Sequence, residues 1–250
     1  MRCLLVLWDI DFTLVDAGGV GTRLYRMVFR DMFGAELPSA AMMAGRTDRA
    51  IALDTLARAG ISEPRQHLDQ FLARLGALAP AGRELTEQHS RALPGAAAAL
   101  DALAAFAPGR DGACPDGAGD PARQVCVVQS VLTGNVRPMA AMKLSALGLD
   151  GHLDLEAGAY GESHEVRAEL VHLARDNAAR RYGKDFSGPA TVLVGDTPLD
   201  VAAALETGAR AVAVATGGTT ADRLAESGAH AVLPDLTDIP AVLAAILAAP

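Results

Sequence analysis

The chain has 250 residues, half of them apolar and 21% charged, and carries a net charge of −8. That is enough for one large domain or two small ones with a sizeable core, and the acidic balance argues against nucleic acid as a partner, whose footprint is a basic stripe. Aromatic residues reach only 4%, so the core is expected to be aliphatic and helix-rich. Cys3, Cys114 and Cys126 show no metal-ligand spacing and read as reduced thiols. The apolar run after Met1 is too short for a signal peptide, and no run approaches the roughly 20 residues of a membrane span. The expectation is a cytoplasmic protein with no membrane partner.

Cys3–Trp8 is apolar, β-branched and aromatic, the pattern of a strand buried on both faces. It ends in Asp9-Ile10-Asp11-Phe12-Thr13, and Ala17-Gly18-Gly19-Val20-Gly21 makes a flexible exit. Helical spacing then follows in 22–33, 47–59, 64–78 and 82–92, with no strand pattern between 20 and 92. So long a helical block after one strand exceeds a plain crossover, and residues 16–93 read as an inserted helical lid. Pro94-Gly95 opens the return to the core and a helix over 96–106, and residues 107–123 read as an exposed loop without assigned function. Further strands are expected at 125–132, 191–194, 209–215 and 231–233, and a short one at 153–155, with helices between them, including 167–182 and 201–207. Strands alternating with helices predict a doubly wound, Rossmann-like parallel sheet, α/β in class, built from 1–15 and 94–250.

Three buried strands end in polar signatures: Asp9/Asp11, Thr133-Gly134-Asn135 and Asp196/Asp200. Thr133, Asn135 and Asp196 are each good helix caps, and an acid ending a strand often only shapes a turn. Three such ends along one sheet edge point instead to a site, because ligands of open α/β sheets bind at the carboxyl ends of the strands. Two carboxylates one residue apart are costly without a cation or a shared proton between them.

With these residues in place, the chain resembles the haloacid dehalogenase-like (HAD) hydrolase superfamily, with an α-helical cap of the phosphoglycolate-phosphatase kind. The match runs through Asp9-Ile10-Asp11-Phe12-Thr13, Thr133 in Val131-Leu132-Thr133-Gly134-Asn135, and Gly195-Asp196 with Asp200. The resemblance implies a Mg²⁺-dependent phosphatase for a small phosphorylated metabolite. Asp9 is then the nucleophile that forms an aspartyl-phosphate. Asp11 is the general acid and base, and Thr133, Gly134 and Asn135 bind the phosphoryl group. The metal ligands are Asp9, Asp196 and the backbone carbonyl of Asp11, with Asp200 orienting waters or the loop.

The family's lysine after the second motif is missing from Gly161–Ala168. Arg167 stands at its place and is the expected phosphoryl cation, a guanidinium being able to pair phosphate through two donors. Lys143 is the other candidate, otherwise a residue of a solvated helix face. In the inserted block Arg46, at a helix start, is a candidate contact for the leaving group. His164 and Trp8 are expected to be structural. A dehalogenase needs neither a metal nor Asp11. A phosphonatase normally lacks the second Asp and adds a lid lysine that is absent here. A phosphomutase, or a non-catalytic binding member with a degenerate site, stays open beside the phosphatase.

Overall fold

The computed structural model describes residues 2–39, 41–108 and 125–248, so most of the loop expected at 107–123, with Cys114, lies outside the described residues. The first strand, β1 (Arg2–Trp8), is buried from Leu4 onward and sends alternate side chains to opposite faces. After a tight turn the chain makes a two-residue strand, β2 (Val15–Asp16), then four helices: α1 (Val20–Phe33), α2 (Asp48–Arg58), α3 (Pro64–Ala77) and α4 (Ala79–His89). It returns through β3 (Arg91–Ala92), which pairs antiparallel with β2, so the way out and the way back form one small ribbon. The expected helix 82–92 therefore starts earlier and ends before this ribbon, a two-residue strand carrying no periodicity from which it could be read.

Helix α5 (Ala96–Ala104) leads to the described part of the parallel framework: β4 (Val125–Val131), α6 (Arg137–Ala146), α7 (Arg167–Tyr182), β5 (Thr191–Gly195), α8 (Pro198–Glu206), β6 (Arg210–Val214), α9 (Ala221–Glu226), β7 (Ala231–Leu233) and α10 (Ile239–Leu247). The five long strands form one parallel sheet in the order β4-β1-β5-β6-β7. Strand 153–155 does not form. Leu153 packs into the core instead, and Asp154 is tied to β4, its N–H donating to Gln129 O at 2.9 Å and its carbonyl accepting from the Ser130 hydroxyl at 2.6 Å, without forming a ladder.

Two apolar layers cover the sheet. Leu4, Val6 and Trp8 of β1 meet Leu100, Leu103, Leu144 and Ile246 on one face, while Leu5 and Leu7 meet Leu170, Val171, Ala174 and Val201 on the other. Polar residues inside β4 are satisfied: Gln129 accepts from the Trp8 indole N–H at 3.2 Å and donates to Leu100 O at 3.0 Å. Losing that partnership would leave a buried amide that costs about 1–3 kcal/mol. The inserted helices have a core of their own, with Tyr25 and Phe71 rings 5.2 Å apart, but Val136, Met139 and Met142 at and in α6 belong to it too. The insertion is thus seated on the helix that follows the Thr133–Asn135 loop. Among the described residues no helix is long and apolar enough to cross a membrane.

Candidate active site

The strand order turns at β1, with β4 on one side and β5 on the other, which opens a crevice at their carboxyl ends. Asp9 sits in it directly after Trp8, its N–H donating to Val194 O at 2.8 Å. Beyond it the N–H groups of Leu14 and Val15 both reach Ile10 O at 2.9 Å, closing a tight turn. At the crest of that turn Phe12 adopts φ 61°, a left-handed conformation that is an outlier for a bulky side chain. Thr216 donates its hydroxyl to the Phe12 carbonyl.

Arg167 opens α7 and is buried under the crevice. Its Nη2 lies 2.9 Å from Asp9 Oδ1 and 2.7 Å from Asp200 Oδ1. Asp200 is aimed by a capping box, in which the Thr197 N–H and hydroxyl donate to Asp200 Oδ2 at 3.1 and 2.6 Å. Asp196 completes the group: Asp9, Asp196 and Asp200 each offer a carboxylate oxygen within 4.8 Å of the others. Burial raises the Asp9 carboxyl pKa against the pull of Arg167, and burial together with Asp9 and Asp200 raises that of Asp196. Burial works against the Arg167 charge, but Asp200 and Asp9 outweigh it and hold the guanidinium protonated.

Three carboxylates around one guanidinium leave an excess of negative charge, and buried Asp196 Oδ1 has no hydrogen-bond donor. That donor set fits a small divalent cation, which takes hard oxygen ligands. Gly217 keeps the space open, since a Cβ there would lie 1.9 Å from Asp196 Oδ2. Asp200, expected only to orient its surroundings, is itself one of the clustered acids. The Asp11 side chain is not, which leaves its backbone carbonyl for the ligand role expected of it.

Asp11 instead faces Lys143, whose Nζ lies 2.7 and 2.8 Å from its two carboxylate oxygens. Lys143 also donates to Asn135 Oδ1 at 2.8 Å, and Asn135 Nδ2 donates to Asp11 Oδ2 at 2.7 Å and to Thr133 Oγ1 at 2.8 Å. The Lys143 side chain is 4% exposed, which corrects its reading as a residue of a solvated helix face. Helix α6 turns it back toward the loop that starts the helix. Each of the two cations thus has its own carboxylate, Arg167 pairing with Asp9 and Lys143 with Asp11.

The insertion is stitched to this edge by backbone. Asp48 N–H donates to Gly134 O at 2.6 Å and Arg49 N–H to Gly161 O at 3.0 Å. The approach is so close that a Cβ on Gly134 would lie 2.0 Å from Arg46 O. Asp48 then turns its carboxylate inward, accepting from Val136 N–H and from the Tyr25 hydroxyl, both at 2.7 Å. Burial pushes this carboxyl up to about 6, with both hydrogen bonds opposing. Arg46 lines the cavity, but its guanidinium is turned to Asp54 at 2.9 Å and to the carbonyls of Met42 and Ala50. Trp8 is core, as expected, and His164 accepts from Val166 N–H at 3.0 Å.

Between the sheet edge and the insertion lies a cavity of about 500 Å³ that holds Asp9, Asp11, Asn135, Lys143, Arg167 and Asp196 on its floor. Sequence reasoning missed Asp48, Tyr25 and Gly217. The paired glycines 217–218 just after a buried strand were a usable signal for the last. Tyr25 read only as part of an apolar helix stripe.

A HAD-hydrolase-like family model matches residues 169–239, the stretch that carries Asp196 and Asp200. Solved structures share the fold along nearly the whole chain. A hydrolase from Pseudomonas syringae is 20% identical, with 96% of each chain covered and a TM-score of 0.59. A "predicted phosphatase" from Clostridium acetobutylicum is 13% identical, covering 96% of this chain and 97% of its own, with a TM-score of 0.64. A HAD family hydrolase from Deinococcus radiodurans, solved with bound phosphate and sodium, is 20% identical over 97% of this chain and 95% of its own, with a TM-score of 0.52. No curated protein matches the chain. The matched segment is similar to HAD-like hydrolases, and along nearly its whole length the chain shares the fold of solved HAD hydrolases and phosphatases.

Proposed function

We propose that the protein is a Mg²⁺-dependent phosphatase that hydrolyses the phosphate monoester of a small metabolite through an aspartyl-phosphate on Asp9. The observation that carries this reading is Asp9 at the carboxyl end of β1, paired to Arg167 and clustered with Asp196 and Asp200, with Asp11 two residues on. The phosphatase and phosphate-bound relatives support the same chemistry. Asp9, Asp196 and the Asp11 carbonyl would hold the metal, with Asp200 beside them. Bound there, Mg²⁺ neutralises phosphoryl charge so that a carboxylate can approach it.

The free Asp9 oxygen attacks phosphorus while the bond to the ester oxygen breaks, and Asp11 gives that oxygen a proton. Asp11 then takes a proton from water as the water displaces Asp9, releasing inorganic phosphate and restoring the Asp9 carboxylate and the protonated Asp11 carboxyl. Arg167 holds Asp9 in place and faces the phosphoryl oxygens, and Thr133, Gly134 and Asn135 form their other seat at the start of α6. Lys143 is a positioning residue that fixes Asp11 and Asn135. Residues 16–93 act as the cap that excludes water, hinged on the ribbon of β2 and β3.

The test is turnover of phenyl phosphate with Mg²⁺ and with EDTA, for the wild type and Asp9→Asn. The expected result is metal-dependent release of phosphate that falls about 10³-fold or more in the variant. Turnover that survives both EDTA and the substitution would overturn the reading.

A further inference from the structure

The two walls of the cavity differ in kind. Every charged group on the floor comes from the sheet edge, whereas the insertion contributes Tyr25, Ala41, Met42, Met43 and Ile51, with Phe12 at the rim. Two charged residues of the insertion reach the cavity, and both are engaged: Arg46 with Asp54 and two carbonyls, Asp48 with Tyr25 and Val136. The insertion thus offers no uncommitted cation to a leaving group, and its one acid there would repel a second anion. Met43 is tethered by the Thr22 hydroxyl, which approaches its sulfur at 3.8 Å. Met42 is 77% exposed, an unbranched side chain able to fold over whatever enters.

We infer that the leaving group of the substrate is uncharged and apolar, an alkyl or aryl alcohol, and that phosphate esters bearing a carboxylate or a second phosphate are disfavoured. The inference rests on the phosphatase reading for its phosphoryl end and goes beyond it in naming what the other end must be. The phosphoryl dianion lies on the charged floor, and the carbon chain lies along Met42, Met43 and Ile51. Each methylene removed from water there strengthens binding by about fourfold when fully buried.

The experiment has a binding arm and a turnover arm. In the first, the affinities of methyl-, butyl- and hexylphosphonate are measured by calorimetry with Mg²⁺ present, against phosphonoacetate, which carries a carboxylate. The expected result is an affinity that rises at least tenfold from methyl to hexyl and is lowest for phosphonoacetate. Met43→Ala should flatten the rise, and Met42→Lys should bring phosphonoacetate to at least the affinity of butylphosphonate. In the second arm kcat/KM is measured for ethyl, butyl and hexyl phosphate, whose leaving alcohols differ little in acidity, and should follow the same order. Affinity that is flat with chain length, or highest for phosphonoacetate, overturns the inference whatever the turnover arm shows. A rising affinity without turnover of any ester would uphold the apolar subsite and overturn the phosphatase reading alone.

Discussion

Charge is buried on both sides of the cavity, but under opposite terms. On the sheet side Asp9, Asp196 and Asp200 crowd around a single guanidinium, and one Asp196 oxygen has no donor. On the insertion side Asp48 stands alone, with a donor on each oxygen and its carboxyl lifted to about 6. The first arrangement has the donor set to take a cation, and the second is already complete as a protein structure. Burial alone therefore does not mark a functional acid. The unbalanced charge does.

Breaking the floor should cost most. Arg167→Met leaves Asp9 and Asp200 buried without their shared cation, and loss of one partner of a buried ion pair costs about 3–5 kcal/mol. Denaturant unfolding should show that loss, together with loss of turnover. Arg167→Lys should recover only part of both, because one ammonium lacks the planar fork that spans the two acids. A fully stable Arg167→Met would mean that the acids already share a proton or a bound cation.

Asp48 should respond to pH with its own sign. Its folded pKa, about 6, lies above the ordinary value of 3.8. Below about pH 4 both folded and unfolded chains carry the proton and nothing is lost. As pH rises toward 6 the unfolded chain gives up its proton first, so stability falls by about 1.4 kcal/mol per unit, at most about 3 kcal/mol in all. Asn at this position can still accept from Val136 N–H and donate to the Tyr25 oxygen. Asp48→Asn should therefore match the wild type near pH 4 and melt higher at pH 8. Equal melting at both values would show that Asp48 is ionised in the folded protein without penalty.

The same contrast predicts which side a metal stabilises. Mg²⁺ binding only to the folded state adds about 2.7 kcal/mol at a hundredfold excess over Kd. The corresponding rise in Tm should vanish in Asp196→Asn and persist in Asp48→Asn. If the rise survives Asp196→Asn, the ion sits elsewhere.

How much of this was legible follows from distance along the chain. Strands β1, β4 and β5 and the acids at their ends could be read because a buried parallel strand is a continuous apolar run, and the polar residue that stops it marks the sheet edge. The four helices of the insertion could be read from spacing. The pairing of Lys143 with Asp11 could not, because 132 residues separate them and no local pattern in α6 distinguishes a lysine turned inward from one facing water. The same holds for Asp48, which looks like an ordinary first-turn acid after the Thr47 cap. Leu153-Asp154-Leu155 misled because three residues of apolar–polar alternation serve a core-packed turn as well as a strand.

Phe12 belongs to neither wall wholly, and it offers the smallest and sharpest test. It sits between Asp11 and the rim of the cavity, 42% exposed and at φ 61°. An L-residue pays about 1–2 kcal/mol for that conformation, whereas glycine adopts it freely but adds about 0.5–1 kcal/mol of unfolded-chain entropy. Little packing is lost from a side chain this exposed, so Phe12→Gly should raise stability by about 1 kcal/mol or less. The same variant should lower kcat/KM for aryl and long-chain alkyl phosphates while leaving that for methyl phosphate nearly unchanged. A protein that is both more stable and less selective would show that the strain is kept for the apolar rim. A loss of stability instead would mean that Phe12 is held by packing and that the turn, not the substrate, requires it.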